Sequence, residues 1–154
     1  MIDYREELDF KISLMVFLID NFSVNKNGKK QITIEKLRLL SLICLTPKTL
    51  DKVSKKLNKT PIFCYQKIFY EGPSKSLSAT EFKDISLLIA FLCKKNYLKL
   101  VKDDLNYIII GEKVSSYAGE ISSSVPQYLF KNQKLIKLIS TKSEAQIAKA
   151  LMDA

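Results

Sequence analysis

The N-terminal part of the chain places helix-start signals ahead of segments whose apolar residues surround the helix axis. Asp3-x-x-Glu6 resembles a capping box and predicts a first helix that extends to about Asn21. Thr33 is a suitable N-cap for a second helix over residues 34–45. In both segments the apolar positions encircle the axis instead of forming one stripe, which indicates helices that are buried on several sides.

A third helix start is followed by an aromatic-rich segment. Thr46-Pro47 combines a cap residue with Pro at the first helical position, and it predicts a short helix that runs through Leu57. Residues 61–70 are aromatic-rich and fit either a strand or an irregular helix. Periodicity does not decide between the two at this length, so the conformation of this stretch stays open.

A second capping box and two β-prone runs follow. Ser78-x-x-Glu81 predicts a strongly apolar helix that ends near Asn96. Residues 97–101 and 107–110 are rich in β-branched and aromatic residues and are joined by a polar stretch, which predicts a hairpin.

Two helices followed by a hairpin that packs back on the last helix form the winged version of the helix-turn-helix plan. We therefore predict a mainly α protein with a small β-hairpin, organised as a winged-helix-like helical domain. No linker or repeat interrupts the chain, which favours a single domain over residues 1–154. Its predicted parts are a winged-helix-like core at about 33–113 and flanking helices at 3–21 and 126–153.

The C-terminal part is again predicted to be helical. A helical segment is expected around Val114 to Ser122, and a longer helix over 126–140. Ser143-x-x-Gln146 is a third capping box ahead of a short apolar stripe. A helix this short is stable only when it docks on something else.

Three of the predicted helices are apolar nearly all round, which is more than a small domain encloses easily. One interpretation is an obligate interface, in which another chain covers part of this surface. The alternative is a tight helical core built around one central helix.

Composition places the chain among globular proteins. Of its 154 residues 47% are hydrophobic and 27% charged, while Gly and Pro number four each.

The N-terminus is acidic where a secretory signal is basic, and the richest apolar runs are too short to span a bilayer. The three cysteines are odd in number and show no C-x-x-C spacing. We therefore expect a cytoplasmic protein with no membrane contact.

The net charge of +9 suggests a polyanionic partner. Only Arg5 and Arg38 are arginines among the 25 basic residues, and arginine is the residue that grips guanine and phosphate with two hydrogen bonds. Contact with DNA would therefore be to the backbone. The charge fits a general lysine bias with solvated faces equally well.

The chain contains no histidine, which removes the usual general base and the commonest nitrogen ligand for metals. Its four glycines are scattered, so no glycine-rich phosphate loop is formed. We therefore predict that the chain is not an enzyme and binds no cofactor and no metal.

Two weaker enzymatic interpretations compete with this prediction. Glu81-Phe82-Lys83 has the E-x-K spacing of a nuclease family, but it lies in the first turn of a capped helix instead of on a strand. Asp103 and Asp104 offer adjacent acids to a divalent ion, yet Asp in a hairpin turn normally serves the turn.

The most informative positive feature is a basic face on the predicted helix after Pro47. Leu50, Val53 and Leu57 point the opposite way and anchor the helix. Against Asp51, the five lysines give residues 46–60 a net charge of +4, which suits a phosphate backbone or an acidic protein surface, although a solvated face is an equal alternative. The basic face consists of Lys48, Lys52, Lys55, Lys56 and Lys59.

The order of segments resembles a known family. The Asp-Tyr-Arg start at residues 3–5, the Ile34–Leu40 helix segment, the hairpin from Tyr97 to Gly111 and the terminal helix from Ser143 to Leu151 are together similar to the small middle component of three-component ABC-ATPase systems. That component is related to the accessory subunit of Lamassu-type anti-phage defence. A looser resemblance is to winged-helix subunits of SMC-kleisin complexes.

The resemblance implies a non-catalytic accessory or adaptor subunit. Its partners would be an SMC-like or Rad50-like ATPase and an effector, commonly a nuclease, both on separate chains, with DNA contacted through its backbone. The alternative hypothesis is a free-standing winged-helix DNA-binding regulator. The basic face favours a regulator, while the shortage of arginine and the surplus of apolar surface disfavour it.

Overall fold

A computed structural model describes residues 4–57 and 79–153, with side chains for 8–57 and 82–153. Within these ranges the protein is mainly helical with a small antiparallel hairpin, which confirms the predicted fold class. The elements in chain order are α1 (Tyr4–Phe22), α2 (Ile34–Cys44), α3 (Pro47–Lys56), α4 (Ala79–Lys94), β1 (Leu98–Lys102), β2 (Asn106–Ile110), α5 (Ala118–Ser123), α6 (Gln127–Lys131), α7 (Gln133–Ser140) and α8 (Glu144–Met152).

Helices α1 and α2 form the centre of the hydrophobic core. Every residue from Leu14 to Ile19 has no exposed surface, and every residue from Leu39 to Cys44 is at most 2% exposed. The chain provides this cover itself, because α1 packs against α2, α5 and β2, and α2 packs against α3, α4, α8 and β2. The apolar centres of these two helices are therefore enclosed by the described part of the chain itself. Large apolar side chains stay exposed elsewhere, among them Leu8, Ile34, Leu87, Phe91 and Leu138.

Three of the predicted helix starts are confirmed by their hydrogen bonds. The Thr33 side chain accepts from the Lys36 backbone N–H at the start of α2, and Thr46 does the same for Thr49 at the start of α3. Ser143 and Gln146 form the complete reciprocal capping box of α8. The capping boxes predicted at Asp3 and Ser78 lie outside the described residues.

The hairpin also confirms its prediction, and the segment just before α2 contacts its outer edge. Strands β1 and β2 pair antiparallel, with Leu98 opposite Ile110 and Leu100 opposite Ile108. On the other edge of β2, the Ile108 N–H donates to the Ile32 carbonyl oxygen at 2.8 Å. This contact and an isolated antiparallel bridge between Thr33 and Tyr107 join the start of α2 to the two-stranded sheet.

The junction between α4 and the hairpin is tightly built. Asn96 adopts a left-handed conformation (φ 63°), which Asn tolerates better than most residues, and it turns the chain out of α4 into β1. Gly111, at the far end of the hairpin, lies directly against it. A Cβ atom on Gly111 would meet the Asn96 carbonyl oxygen at 2.1 Å, so only glycine fits there.

Two predicted C-terminal helices are shorter than expected. The segment expected around 114–122 is a 3₁₀ turn at Glu112–Val114 followed by α5. The helix expected over 126–140 is divided at Asn132, whose backbone (φ −107°, ψ 19°) leaves the helical region. The Asn132 amide Nδ2 donates to the Tyr128 carbonyl oxygen at 2.7 Å and so competes for an acceptor that a continuous helix would use.

The C-terminal helices are fastened to the start and end of α2. The Thr33 hydroxyl donates to the Glu144 carboxylate at 2.5 Å, and the Lys36 ammonium donates to the Ser140 carbonyl oxygen at 2.9 Å. Burial lowers the pKa of Lys36, while Glu144 opposes that shift. A continuous hydrophobic cluster joins residues of α1, α2, α4, the hairpin and α6 to α8.

Candidate functional site

The predicted basic face is built on α3, which is held from its opposite side. Leu50 and Val53 have no exposed surface, and the buried Ser54 hydroxyl donates to the Leu50 carbonyl oxygen at 2.6 Å. Helix α3 packs against α2 and α8 through this side. The packing of α3 on the core therefore determines which side of the helix faces solvent.

Four of the five predicted lysines lie on the outward side of α3. Lys55 and Lys56 are exposed, while Lys48 and Lys52 are half-buried. The Lys55 ammonium lies 3.0 Å from the Asp51 carboxylate, an exposed ion pair one helical turn apart. Lys59 lies outside the described residues. These four lysines therefore form a compact basic surface, and Asp51 partly neutralises its charge at one edge.

The helix that leads into the hairpin is α4, not α3. In the winged form of the helix-turn-helix plan, the second helix of the motif is the one that enters the major groove of DNA, and the hairpin follows it. Helix α4 fills that place, because it packs against α2 and β1 and ends at the hairpin. The basic face therefore lies on a different helix from the one that leads into the hairpin.

The exposed surface of α4 is apolar at its centre. Leu87 and Phe91, one helical turn apart, are 59% and 47% exposed, and Ala90 beside them is also exposed. The opposite side of α4 carries Ile85 and Leu92, which are buried in the core. This arrangement is suited to contact with a protein and lacks the arginine, asparagine or glutamine side chains that read base edges.

The tip of the hairpin is acidic. It presents Asp103 and Asp104, followed by Leu105, which is 56% exposed. A hydrogen bond to Asp104 raises the pKa of the Tyr107 hydroxyl, with a smaller contribution from burial. The Asp103 N–H donates to the Leu105 carbonyl oxygen at 2.9 Å. These contacts support the interpretation of both acids as turn residues. Lys29 and Lys30 line the same concave surface as the two acids and offset their charge.

A second basic surface was not foreseen from the sequence. Lys134 and Lys137 of α7 line a shallow groove together with Lys26, which lies in the loop after α1. The spacing of Lys134 and Lys137 places both on one helix face, but only the packing of the loop against α7 brings Lys26 to them. The groove is therefore a second positively charged surface. None of its lining residues is a buried polar side chain that could hold a ligand.

The candidate enzymatic residues are not brought together. The Glu81 side chain lies outside the described residues, and Lys83 is exposed on α4. Asp103 and Asp104 are at the hairpin tip. No group of three or more His, Cys, Asp or Glu side chains that could hold a metal ion occurs in the part of the chain that the structure describes.

The two cysteines with described side chains are free thiols packed into the core region. Burial raises the pKa of Cys44 to about 12 and also raises that of the half-buried Cys93. Neither thiol is therefore activated as a nucleophile. Cys64 lies outside the described residues.

Comparisons with protein-family models, with curated proteins and with solved structures find no match to this chain. Among the described residues, no helix combines the length and the apolar character needed to cross a membrane.

Proposed function

We propose that this chain is a non-catalytic accessory subunit of a cytoplasmic defence complex. In this proposal it is an adaptor that joins an SMC-like or Rad50-like ATPase to an effector subunit, which is a nuclease. The ATPase and the effector are inferred from the family resemblance described above. The adaptor role is supported by one structural observation, the apolar character of α4 in the recognition position.

The argument rests on what the α4 and hairpin surfaces can contact. A winged helix that reads DNA presents polar and basic groups from its recognition helix and its wing. Here the centre of the α4 surface presents Leu87 and Phe91 between Lys83 and Lys94, and the tip of the wing presents Leu105 with Asp103 and Asp104. Apolar surface with few charges is typical of the centre of a protein interface. We therefore assign this side of the molecule to a protein partner.

The basic face on α3 has a separate role in the proposal. Its lysines suit contacts to a phosphate backbone, which need no base-specific geometry. The same face also suits an acidic surface on the ATPase or the effector. An adaptor with both an apolar surface and a basic surface can hold a protein partner and lie along DNA at the same time.

The alternative function is a free-standing winged-helix DNA-binding regulator. It is favoured by the order of α2, α4 and the hairpin, and by the hydrogen bond between Ile32 and the outer edge of β2. Such a regulator binds a palindromic site as a symmetric dimer, because its half-sites mirror the symmetry of the protein.

Selection of binding sites from randomised double-stranded DNA separates the two functions. For an adaptor, the purified chain enriches no sequence, and its weak binding falls steeply with added salt. Enrichment of a palindromic sequence by a dimer of the chain would contradict the adaptor and support the regulator. The adaptor also predicts that the gene lies beside genes for an SMC-like ATPase and an effector.

A further inference from the structure

The exposed side of α4 is a continuous stripe with a defined charge pattern. Residues 83, 87, 90, 91 and 94 recur at helical spacing, so they share one side of the helix, and all are exposed. The centre is apolar, the C-terminal end is basic, and Lys83 at the N-terminal end is followed by the exposed Asp84. The α4 face, as we call it, consists of Lys83, Leu87, Ala90, Phe91 and Lys94.

The apolar centre is larger than isolated surface residues normally provide. Leu87 and Phe91 lie one turn apart and each keeps about half of its side chain in solvent, at 59% and 47% exposure. The same helix has enough apolar residues to bury its other side, where Ile85, Ile89 and Leu92 are at most 3% exposed. Within the part of the chain that the structure describes, these outward apolar side chains are therefore not part of the core.

The ends of the face indicate the charge of what covers it. Lys94 and the neighbouring Lys95 lie at its C-terminal end, and the Lys95 ammonium is 5.9 Å from the centre of the Phe91 ring. Lys83 lies at the N-terminal end, with Asp84 as the one described acid beside it. The charge is therefore positive at the C-terminal end and balanced at the N-terminal end, so acidic residues on the partner opposite Lys94 and Lys95 are the complementary arrangement.

A second copy of this chain fits the face poorly. In a symmetric dimer across α4, a parallel arrangement sets each lysine near its own equivalent, and an antiparallel one sets the Lys83–Asp84 pair, which has no net charge, against Lys94 and Lys95. Neither arrangement gains net attraction between the two ends, and the net charge of +9 on each chain opposes the association. The occupant is therefore a different protein.

We propose that the α4 face binds a segment of another protein chain that has an apolar centre and acidic residues at the end that meets Lys94 and Lys95. Leu87 and Phe91 contact the apolar centre, and Lys94 and Lys95 contact the acidic residues. Which protein contains this segment rests on the proposed function, whereas the chemistry of the segment is inferred from the α4 face alone.

Site-specific photocrosslinking in the native host tests this binding. The full chain is produced with p-benzoylphenylalanine at Leu87 and, as a matched control, at Leu138 of α7, which is 46% exposed. We expect crosslinking from position 87 to a different chain, at a peptide with apolar residues and Asp or Glu at one end of them, and no such product from position 138. A crosslink within the same chain, to a second copy, or to a basic segment overturns the proposal, as does the absence of any product from position 87.

A binding measurement with the crosslinked segment then tests each part of the face. The segment is synthesised as a labelled peptide and titrated with the full chain by fluorescence anisotropy. Phe91→Ser and the double variant Lys94→Glu, Lys95→Glu are each expected to weaken binding by about tenfold or more, while Leu138→Ser has no effect. Unchanged affinity of folded Phe91 and lysine variants, judged by circular dichroism, overturns the proposal.

The same experiments distinguish this proposal from the adaptor function. If the crosslinked segment has the expected chemistry but belongs to a protein that is neither an ATPase nor its effector, the α4 face stands and the adaptor function fails. If the chain assembles with the ATPase through a surface that leaves Leu87 uncrosslinked, the adaptor function stands and the assignment of the α4 face fails.

Discussion

The Tyr128 hydroxyl donates a hydrogen bond to the Cys44 carbonyl oxygen at 2.7 Å and lies 3.2 Å from the Leu45 carbonyl oxygen. Tyr128 is on α6, whereas Cys44 is the last residue of α2. The contact therefore satisfies carbonyl groups that the end of α2 leaves without helical partners. It also joins the C-terminal helices to the turn between α2 and α3, where the helix that carries the basic face begins.

Replacing Tyr128 with Phe should destabilise the fold by about 1–2 kcal/mol, because buried carbonyl oxygens lose their donor. Burial raises the pKa of Tyr128, so the hydroxyl stays protonated and the loss should be the same at neutral and mildly alkaline pH. Thermal and urea denaturation measure the change. Tyr117→Phe, at a 38% exposed position, is the control and should have no effect. Equal stability of the Tyr128→Phe variant and the wild type would show that this contact contributes nothing.

Replacing Gly111 with Ala should destabilise the fold by about 1–3 kcal/mol or more, because the added Cβ collides with the Asn96 backbone. Gly119→Ala is the matched control, since no atom lies within 4 Å of the added Cβ there. In helix α5 that change should stabilise the protein slightly, by less than about 1 kcal/mol. Urea denaturation of both variants gives the comparison. A Gly111→Ala variant as stable as Gly119→Ala would refute the close approach of the hairpin to Asn96.

Changing Lys48, Lys52 and Lys56 together to Glu tests the basic face. If the face contacts DNA within the assembly, binding should weaken similarly for all sequences. The slope of affinity against salt should fall by about 0.9 for each phosphate contact that is lost. Stability should fall by no more than about 1 kcal/mol, because Leu50 and Val53 keep the helix anchored.

The control for the basic face carries the same change of charge elsewhere, with Lys102, Lys131 and Lys149 changed to Glu at exposed positions. If α3 instead docks on an acidic subunit, the α3 variant should leave the complex while the remaining complex still binds DNA. Measuring complex retention and DNA affinity for both variants separates these roles. Equal behaviour of the two variants in both measurements would identify the face as ordinary solvated surface.

Cys44 should not react with Ellman's reagent in the folded protein at neutral pH. Its side chain has no exposed surface, and burial raises its pKa to about 12, so hardly any thiolate is present. A variant with Cys64 and Cys93 changed to Ala isolates this thiol. It should react only after denaturation in guanidinium chloride, and rapid reaction of the folded variant would contradict the burial of α2.

The helix starts were predictable because a cap depends on residues three positions apart. Thr33, Thr46 and Ser143 each cap through hydrogen bonds within one helical turn, so the local sequence contains the whole signal. The division at Asn132 was not predictable in the same way. The Asn132 amide also bonds within about one helical turn, to Tyr128, but Asn occurs within helices as well, so its presence alone does not show that a helix divides there.

The basic face of α3 was predictable from spacing, since Leu50 and Val53 define its buried side. The exposed centre of α4 was not. Leu87 and Phe91 have the same apolar character as Ile85 and Leu92, and periodicity cannot show which side of an all-round apolar helix meets the core. Likewise, the enclosure of α1 depends on α5 and β2, which are distant in sequence.

The accessory role is tested most directly by the mass of the native assembly. The tagged chain is isolated from its own host and analysed by size-exclusion chromatography with light scattering and mass spectrometry. The adaptor function predicts that the chain, of 17.6 kDa, elutes with an SMC-like ATPase and an effector in fixed stoichiometry. Elution as a free monomer, or as a dimer whose mass is unchanged by the ATPase, would contradict it.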